Sequence, residues 1–356
     1  MSPEVTREGP QDDRPGREAT VGSAGGRGPG GDGRWGEGRR KRRGRRGEAL
    51  MVPRAEFTSY YGRPVIKEPV WEERDIAGYF FLGGLAGASS VLAAGADLTH
   101  RSTLARTAKV GSAVAISASL VALVHDLGRP ERFLNMLRVV KPTSPMSVGT
   151  WIVSAYAPAA LVAAASTVTG KARPVGALAT AAAAAAGPAV AAYTAVLVSN
   201  TAVPAWHDGH REMPFVFAGS STCAAAGLGM LGASLTDAGP ARRAAVVGAM
   251  TEVVATRLMK ARMGVARETY ETGSAGRLMT TAERLVAGGA LVGAIAGRRS
   301  RVVSAAAGAA LMAGSACTRF GVFRAGVASA KDPRYTVEPQ RARLASGAGS
   351  TQQSHA

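Results

Sequence analysis

The groups best placed for chemistry are His125 and Asp126, which close a long apolar run and lead into Leu127-Gly128-Arg129-Pro130-Glu131-Arg132-Phe133-Leu134-Asn135-Met136-Leu137-Arg138. An imidazole exchanges a proton near neutral pH, and a neighbouring carboxylate tunes where it does so. At the headgroup boundary of a bilayer such a pair could give or take the proton of a quinone-linked reaction, with Arg129 close behind. An ordinary polar helix end with interfacial charges would present the same residues. Gly128 permits a sharp exit from one helix and Pro130 suits the first position of the next. Phe133, Met136, Leu137 and Val140 then share a face, as in a short helix lying in the membrane interface.

Glu252 is the second candidate, with apolar neighbours on both sides and Thr256, not a base, at i+4. An ionisable group is costly in hydrocarbon, so it is protonated, paired across helices or beside water. A proton path and a structural interhelical hydrogen bond both fit. Asp97 and His100 stand one turn apart at the end of an earlier apolar run, where a proton-uptake point and a plain helix terminus are alternatives. Tyr79, Tyr156 and Tyr193 place hydroxyls in or near apolar runs, whereas Trp71, Trp151 and Trp206 read as interface anchors.

Metal and cofactor chemistry within the chain is not expected. Cys223 and Cys317 are far apart, and no CxxC or Cys/His cluster accompanies them, which argues against an iron–sulfur cluster or structural zinc. A transmembrane haem needs axial ligands, typically facing histidines. Only His125 borders an apolar run closely; His100, His207 and His210 fall in loops and His355 in the tail. No flavin motif is visible.

The elements that must position these groups are membrane helices. A bilayer core takes roughly 20 apolar residues per helix. Ile76–Ala96, Ala108–Val124, Val148–Thr169, Val175–Ser199 and Pro214–Thr236 meet that length, and Ala244–Met259, Thr281–Gly297 and Val302–Cys317 come close. The runs are continuously apolar, so they read as helices and not as the alternating strands of a barrel. A soluble Ala-rich bundle would show charged outer faces, and Gly176–Val198 has none. The expectation is an all-α, polytopic helical membrane protein of about eight transmembrane helices. Small residues such as Gly83-Gly84-Leu85-Ala86-Gly87 would let backbones pack closely.

The net charge of +18 belongs mostly to the flanks. Residues 1–54 form a basic Gly/Arg-rich tail expected to be disordered, 55–75 a segment leading into the first helix, 76–325 the transmembrane domain and 326–356 a polar C-terminal tail. Met51 precedes more ordinary sequence and is an alternative start, and no signal peptide is apparent. The run GRRKRRGRR at 38–46 stands beside no nucleic-acid-binding signature and reads as a polybasic flank drawn to anionic membrane lipid. Basic residues crowd the N-terminal tail, 126–147, 257–284 and the C-terminal tail. All four fall on one side of an eight-helix chain, which the positive-inside rule makes cytoplasmic, in a multi-pass protein of the cell membrane.

HDLGRPERFLNML followed by KPTSPMSVGTWIV resembles the NrfD family, the polysulfide-reductase-type membrane subunits. WEERDIAGYFFLGGLAG resembles that family's first helix, and NTAVPAWH, REMPFVFAG and RFGVFRAGVASAKDPRYTV resemble its actinobacterial-type members. The resemblance spans roughly residues 60–340. It implies an eight-helix subunit without haem that exchanges electrons between membrane quinone (menaquinone or ubiquinone) and a separate four-cluster iron–sulfur protein, itself serving a molybdopterin catalytic subunit. Carried onto this sequence, it has His125, Asp126 and Arg129 bind the quinone head or move its proton. Tyr193, on the fourth helix where the family places a quinone-contacting tyrosine, and Tyr79 join them. Glu252, Asp97 and His100 remain the proton-path candidates. Some members use a histidine on the first helix, which this sequence lacks. Two other functions stay open: a secondary transporter, for which Pro188 is the one clear helix interruption, and a structural anchor without quinone chemistry.

Overall fold

A computed structural model describes residues 65–127 and 131–352, apart from the side chains of 132–134 and 346–352. The helices are α1 (Glu73–Leu98), α2 (Ser102–Asp126), α3 (Arg132–Leu137), α4 (Pro145–Thr169), α5 (Arg173–Ser199) and α6 (Pro204–His207). They continue as α7 (Met213–Gly232), α8 (Gly239–Arg262), α9 (Glu268–Glu271), α10 (Gly273–Ile295), α11 (Arg301–Lys331) and α12 (Arg334–Gln352). No strand occurs among the described residues. Gly128, Arg129 and Pro130 lie outside the described residues, as does nearly all of the basic N-terminal segment.

Seven of these helices, α1, α2, α4, α5, α7, α10 and α11, are long and apolar enough to cross a membrane. Apolar side chains remain exposed around the bundle, among them Val121, Leu178, Val247 and Val302. Water would penalise so much apolar surface, and lipid does not. The chain is an all-α polytopic membrane protein. The eighth expected span, α8, has 24 residues but carries Arg242, Arg243, Glu252, Arg257 and Lys260, which lower its mean hydropathy. It packs against α7 and α10 like the others.

Helix ends are set by local chemistry. Pro145 and Pro174 occupy first-turn positions, where a missing N–H costs nothing. Gly170 closes α4 in the left-handed region. Ser300 caps α11 through its hydroxyl. α7 stops at Gly232, before the expected Thr236, and Arg301 donates to its terminal carbonyls, with bonds of 2.9 Å to Met230 and 2.6 Å to Ala233. In the turn that follows, the Thr103 hydroxyl and backbone amide hold the Asp237 carboxyl below the usual carboxylate range. Pro158 and Pro188 both sit inside continuous helices, so α5 is not broken as a transporter reading would have it.

α1 lies at the centre, against α2, α5, α7 and α11. Its contacts are made by small residues and hydroxyls. Ser90, Ser112 and Tyr156 meet as a triad with oxygens 2.7 to 2.9 Å apart, joining α1, α2 and α4. Ser220 and Ser315 join α7 to α11 at 2.9 Å. In bilayers such bonds contribute roughly 0.6 kcal/mol each.

Trp206, expected at the membrane interface, is fully buried instead. The segment after α5 folds inward as α6, and the indole donates to the Val322 carbonyl at 2.8 Å. Trp71 stacks on it with ring centres 5.8 Å apart, while Trp151 stays at the surface. A Cβ at Gly326 would overlap the Trp206 ring. Gly326→Val should therefore lower the melting temperature in detergent by about 5 °C or more; an unchanged melting point would show the indole free to move aside.

Candidate functional site

α1 and α2 have nearly equal lengths, 26 and 25 residues, and a turn of three residues joins them. The end of α2 must therefore return beside the start of α1. That geometry brings His125 Nδ1 to 2.5 Å from Asp75 Oδ2. Asp126 Oδ1 accepts from the Glu72 backbone amide at 3.0 Å. His125 is largely exposed, whereas Asp75 is mostly covered. Donor atoms of Glu72, Asp75 and His125 lie within 4.8 Å of one another, a spacing a divalent cation could bridge. The short His125–Asp75 contact accounts for the cluster without one.

Behind this rim lies a cavity of ≈ 110 Å³. α1 lines it with Ile76, Tyr79 and Phe80, α2 with Leu123 and Asp126, α3 with Met136, α4 with Met146, Thr150 and Val153, and α5 with Tyr193 and Leu197. The spacing 76–79–80 puts one face of α1 into it, and 146–150–153 does the same for α4. Tyr193 rests on Gly149, where any Cβ would overlap its ring. Its hydroxyl is buried and has no hydrogen-bond partner. Tyr79 meets Tyr193 edge-on, with ring centres 6.5 Å apart. The arrangement is an apolar slot walled in part by the Tyr79 and Tyr193 rings, with an acid–imidazole pair on residues that adjoin its lining residues Ile76 and Asp126. It can take a flat ring bearing a hydrogen-bond acceptor, and it can pass a proton at the rim.

The expected quinone group thus comes together in part. Tyr79, Asp126 and Tyr193 line the cavity, His125 adjoins Asp126 without being one of the lining residues, and Arg129 lies outside the described residues. Tyr156 is committed to the serine triad. Asp97 and His100 lie at the opposite end of α1; Asp97 pairs with Lys109 at 2.6 Å, and His100 is exposed with φ of 54°. Asp75 was not singled out in the sequence, since only the return of α2 reveals it. The matched lengths of the first two apolar runs were the available signal.

A second polar cluster lies among α7, α8 and α11. Glu252 Oε1 accepts from the Thr318 hydroxyl at 2.5 Å, and Oε2 is buried without a partner. Arg319, two residues past the expected end of the last span at Cys317, is wholly buried because α11 continues to Lys331. Its Nη2 donates to the Phe217 carbonyl at 2.7 Å and to Ser221 Oγ at 2.8 Å. The guanidinium carbon sits 3.7 Å above the centre of the Phe217 ring, while Nε and Nη1 have no partner. A void of ≈ 20 Å³, enough for a water, touches Glu252 and Thr318 and also Lys260 and Glu283. Phe80 packs on Phe217 with centres 6.0 Å apart and on Tyr79 at 5.9 Å, so aromatic rings run from the cavity to this cluster.

Spanning helices packed around a small apolar slot define a polytopic membrane protein. A family model described as Polysulphide reductase, NrfD, matches residues 66–266, more than half of the chain, and the chain belongs to the NrfD family. No curated protein matches it. The matched region contains every cavity-lining residue and Glu252, and ends before Thr318 and Arg319.

Arg319 carries two hydrogen bonds and a ring contact that a lysine cannot reproduce together. Arg319→Lys should cost about 1–3 kcal/mol of stability, seen as a lower melting temperature and less monodisperse protein. A lysine variant as stable as the parent would mean that only the charge matters there.

Proposed function

We propose that this chain is the quinone-reactive membrane subunit of a multisubunit oxidoreductase. It exchanges electrons between the membrane quinone pool, menaquinone or ubiquinone, and a peripheral four-cluster iron–sulfur protein that serves a molybdopterin catalytic subunit. The observation that carries this reading is an apolar slot lined by Tyr79, Tyr193 and Asp126, with the Asp75–His125 pair on residues that adjoin its lining residues Ile76 and Asp126.

The residues fit a quinone head group. Interconversion of quinone and quinol moves two electrons and two protons, so the site needs a donor for a carbonyl oxygen and a route for protons. Tyr193 supplies the donor. Asp75 holds the His125 ring in place and stabilises its charged form, so the imidazole can accept a proton from bound quinol or return one to quinone. Asp126 lines the same slot. An apolar cavity of about 150 Å³ admits benzene; this slot is somewhat smaller, and the flexible side chains of Met136 and Met146 in its wall can yield. The isoprenoid tail belongs among the exposed apolar residues outside.

His125, the loop with α3 and the C-terminal helix all lie at the end of the bundle where the basic residues crowd, the cytoplasmic side by the positive-inside rule. The iron–sulfur partner docks on this face, nearest the slot. Glu252 lies on a proton route, with Thr318 holding one oxygen and the adjoining void admitting water; Asp97 and His100 would meet protons at the far face.

In the assembled complex, His125→Ala should abolish quinol-dependent turnover while leaving subunit association intact. Tyr193→Phe, which removes one hydrogen bond, should weaken binding of a quinone analogue about 2- to 10-fold. Full turnover in the first variant would refute the role of His125. A purified subunit that binds no analogue at all would leave a structural anchor as the better account. Glu252→Gln keeps the shape and the Thr318 bond, and should slow turnover without changing analogue affinity. Equal turnover would remove Glu252 from the proton route.

A further inference from the structure

Away from the slot, at the opposite end of the bundle, α8 and α10 part around an open cavity of ≈ 630 Å³. Arg101, Arg242, Arg243 and Arg298 line it, and no carboxylate does. Two of the four are tied to the turn between α7 and α8. Arg101 donates to the Thr236 carbonyl, and Arg242 donates through both terminal nitrogens to the Leu235 carbonyl, at 3.2 and 3.3 Å. Arg243 and Arg298 make no hydrogen bond or ion pair with the described residues. Asp237, on the same turn, lies within electrostatic reach of Arg101, and its Oδ2 accepts from the amide and hydroxyl of Thr103.

Four like charges around one space repel one another. Arg242 is almost fully buried and feels the charges of the other three. An anion among them would relieve that repulsion, and forked guanidinium donors match phosphate oxygens. The remaining wall is apolar. Val246, Val247 and Ala294 continue the cavity along the bundle, and Val247, Leu291 and Ile295 are 61 to 67% exposed on the same flank. A soluble anion has no use for that track, whereas acyl chains do.

We infer that this cavity binds the phosphate headgroup of an anionic phospholipid from the leaflet opposite the quinone slot. Its acyl chains lie in the groove between α8 and α10. The four positive charges favour a two-phosphate, four-chain lipid over a single-phosphate one.

Thermal unfolding of the full chain in nanodiscs tests this. Discs of phosphatidylcholine alone are compared with discs containing phosphatidylglycerol or a diphosphatidylglycerol, and with phosphatidylcholine discs in added inorganic phosphate. The anionic lipids should raise the melting temperature by on the order of 5 °C, the diphosphatidyl lipid more, and native mass spectrometry should find it retained. Arg243→Gln with Arg298→Gln removes two charges that bond nothing in the protein, so folding in phosphatidylcholine is preserved and most of the shift should vanish. Arg299→Gln, outside the cavity, should keep it. A shift that survives in the double variant, or no shift in any lipid, overturns the assignment. Equal protection by inorganic phosphate overturns the lipid in favour of a soluble anion.

Discussion

The absence of water from the bilayer core governs this molecule. A hydroxyl, carbonyl or guanidinium placed there must find its partner within the protein or remain costly. Most of the buried polar side chains comply. Ser90, Ser112 and Tyr156 satisfy one another, Ser220 meets Ser315, and Arg301 closes the open carbonyls of α7. These bonds need close helix approach, which explains the abundance of Gly and Ala where α1, α7 and α11 meet. Against that background the unsatisfied atoms stand out. Tyr193 Oη, Glu252 Oε2 and two nitrogens of Arg319 belong to the two clusters with chemical capability, while the hydroxyls of Ser89, Thr194 and Ser199 lie outside them.

Those clusters divide the work by depth. The slot lies near the end of the bundle that carries the His125–Asp75 pair. The Glu252–Arg319 region lies farther inside, framed by α7, α8 and α11. α1 belongs to both: Tyr79 and Phe80 line the slot, and Gly84 leaves the room through which Arg319 reaches Ser221. Close packing along a rigid central helix gives the two regions a shared wall, and a disturbance at one would be felt at the other only through that contact.

Much of this was legible in the sequence, for a physical reason. Lipid demands continuous apolar runs, and such runs are visible without knowing their neighbours, so the seven span-length apolar helices and α8 were found and most of their ends fell within a few residues, whereas the polar helix α12 was not. What depended on tertiary return was not visible. Asp75 gained meaning only when α2 came back beside α1. Trp206 looked like an interface anchor because indoles favour that boundary, yet a fold-back of the chain buried it against Gly326. The last apolar run was read only as far as Cys317, two residues short of Arg319, because a charge usually ends a span. Here the guanidinium found a carbonyl, a hydroxyl and a ring inside the bundle, so α11 could run on.

That last helix has an implication for how the polypeptide is made. A segment with a buried arginine partitions poorly into lipid by itself, yet the carbonyl of Phe217, the hydroxyl of Ser221 and the oxygens of Glu252 are all synthesised before it. Insertion of α11 is therefore best assisted by helices already resident in the membrane, so the C-terminal span completes the bundle as a keystone and does not found it.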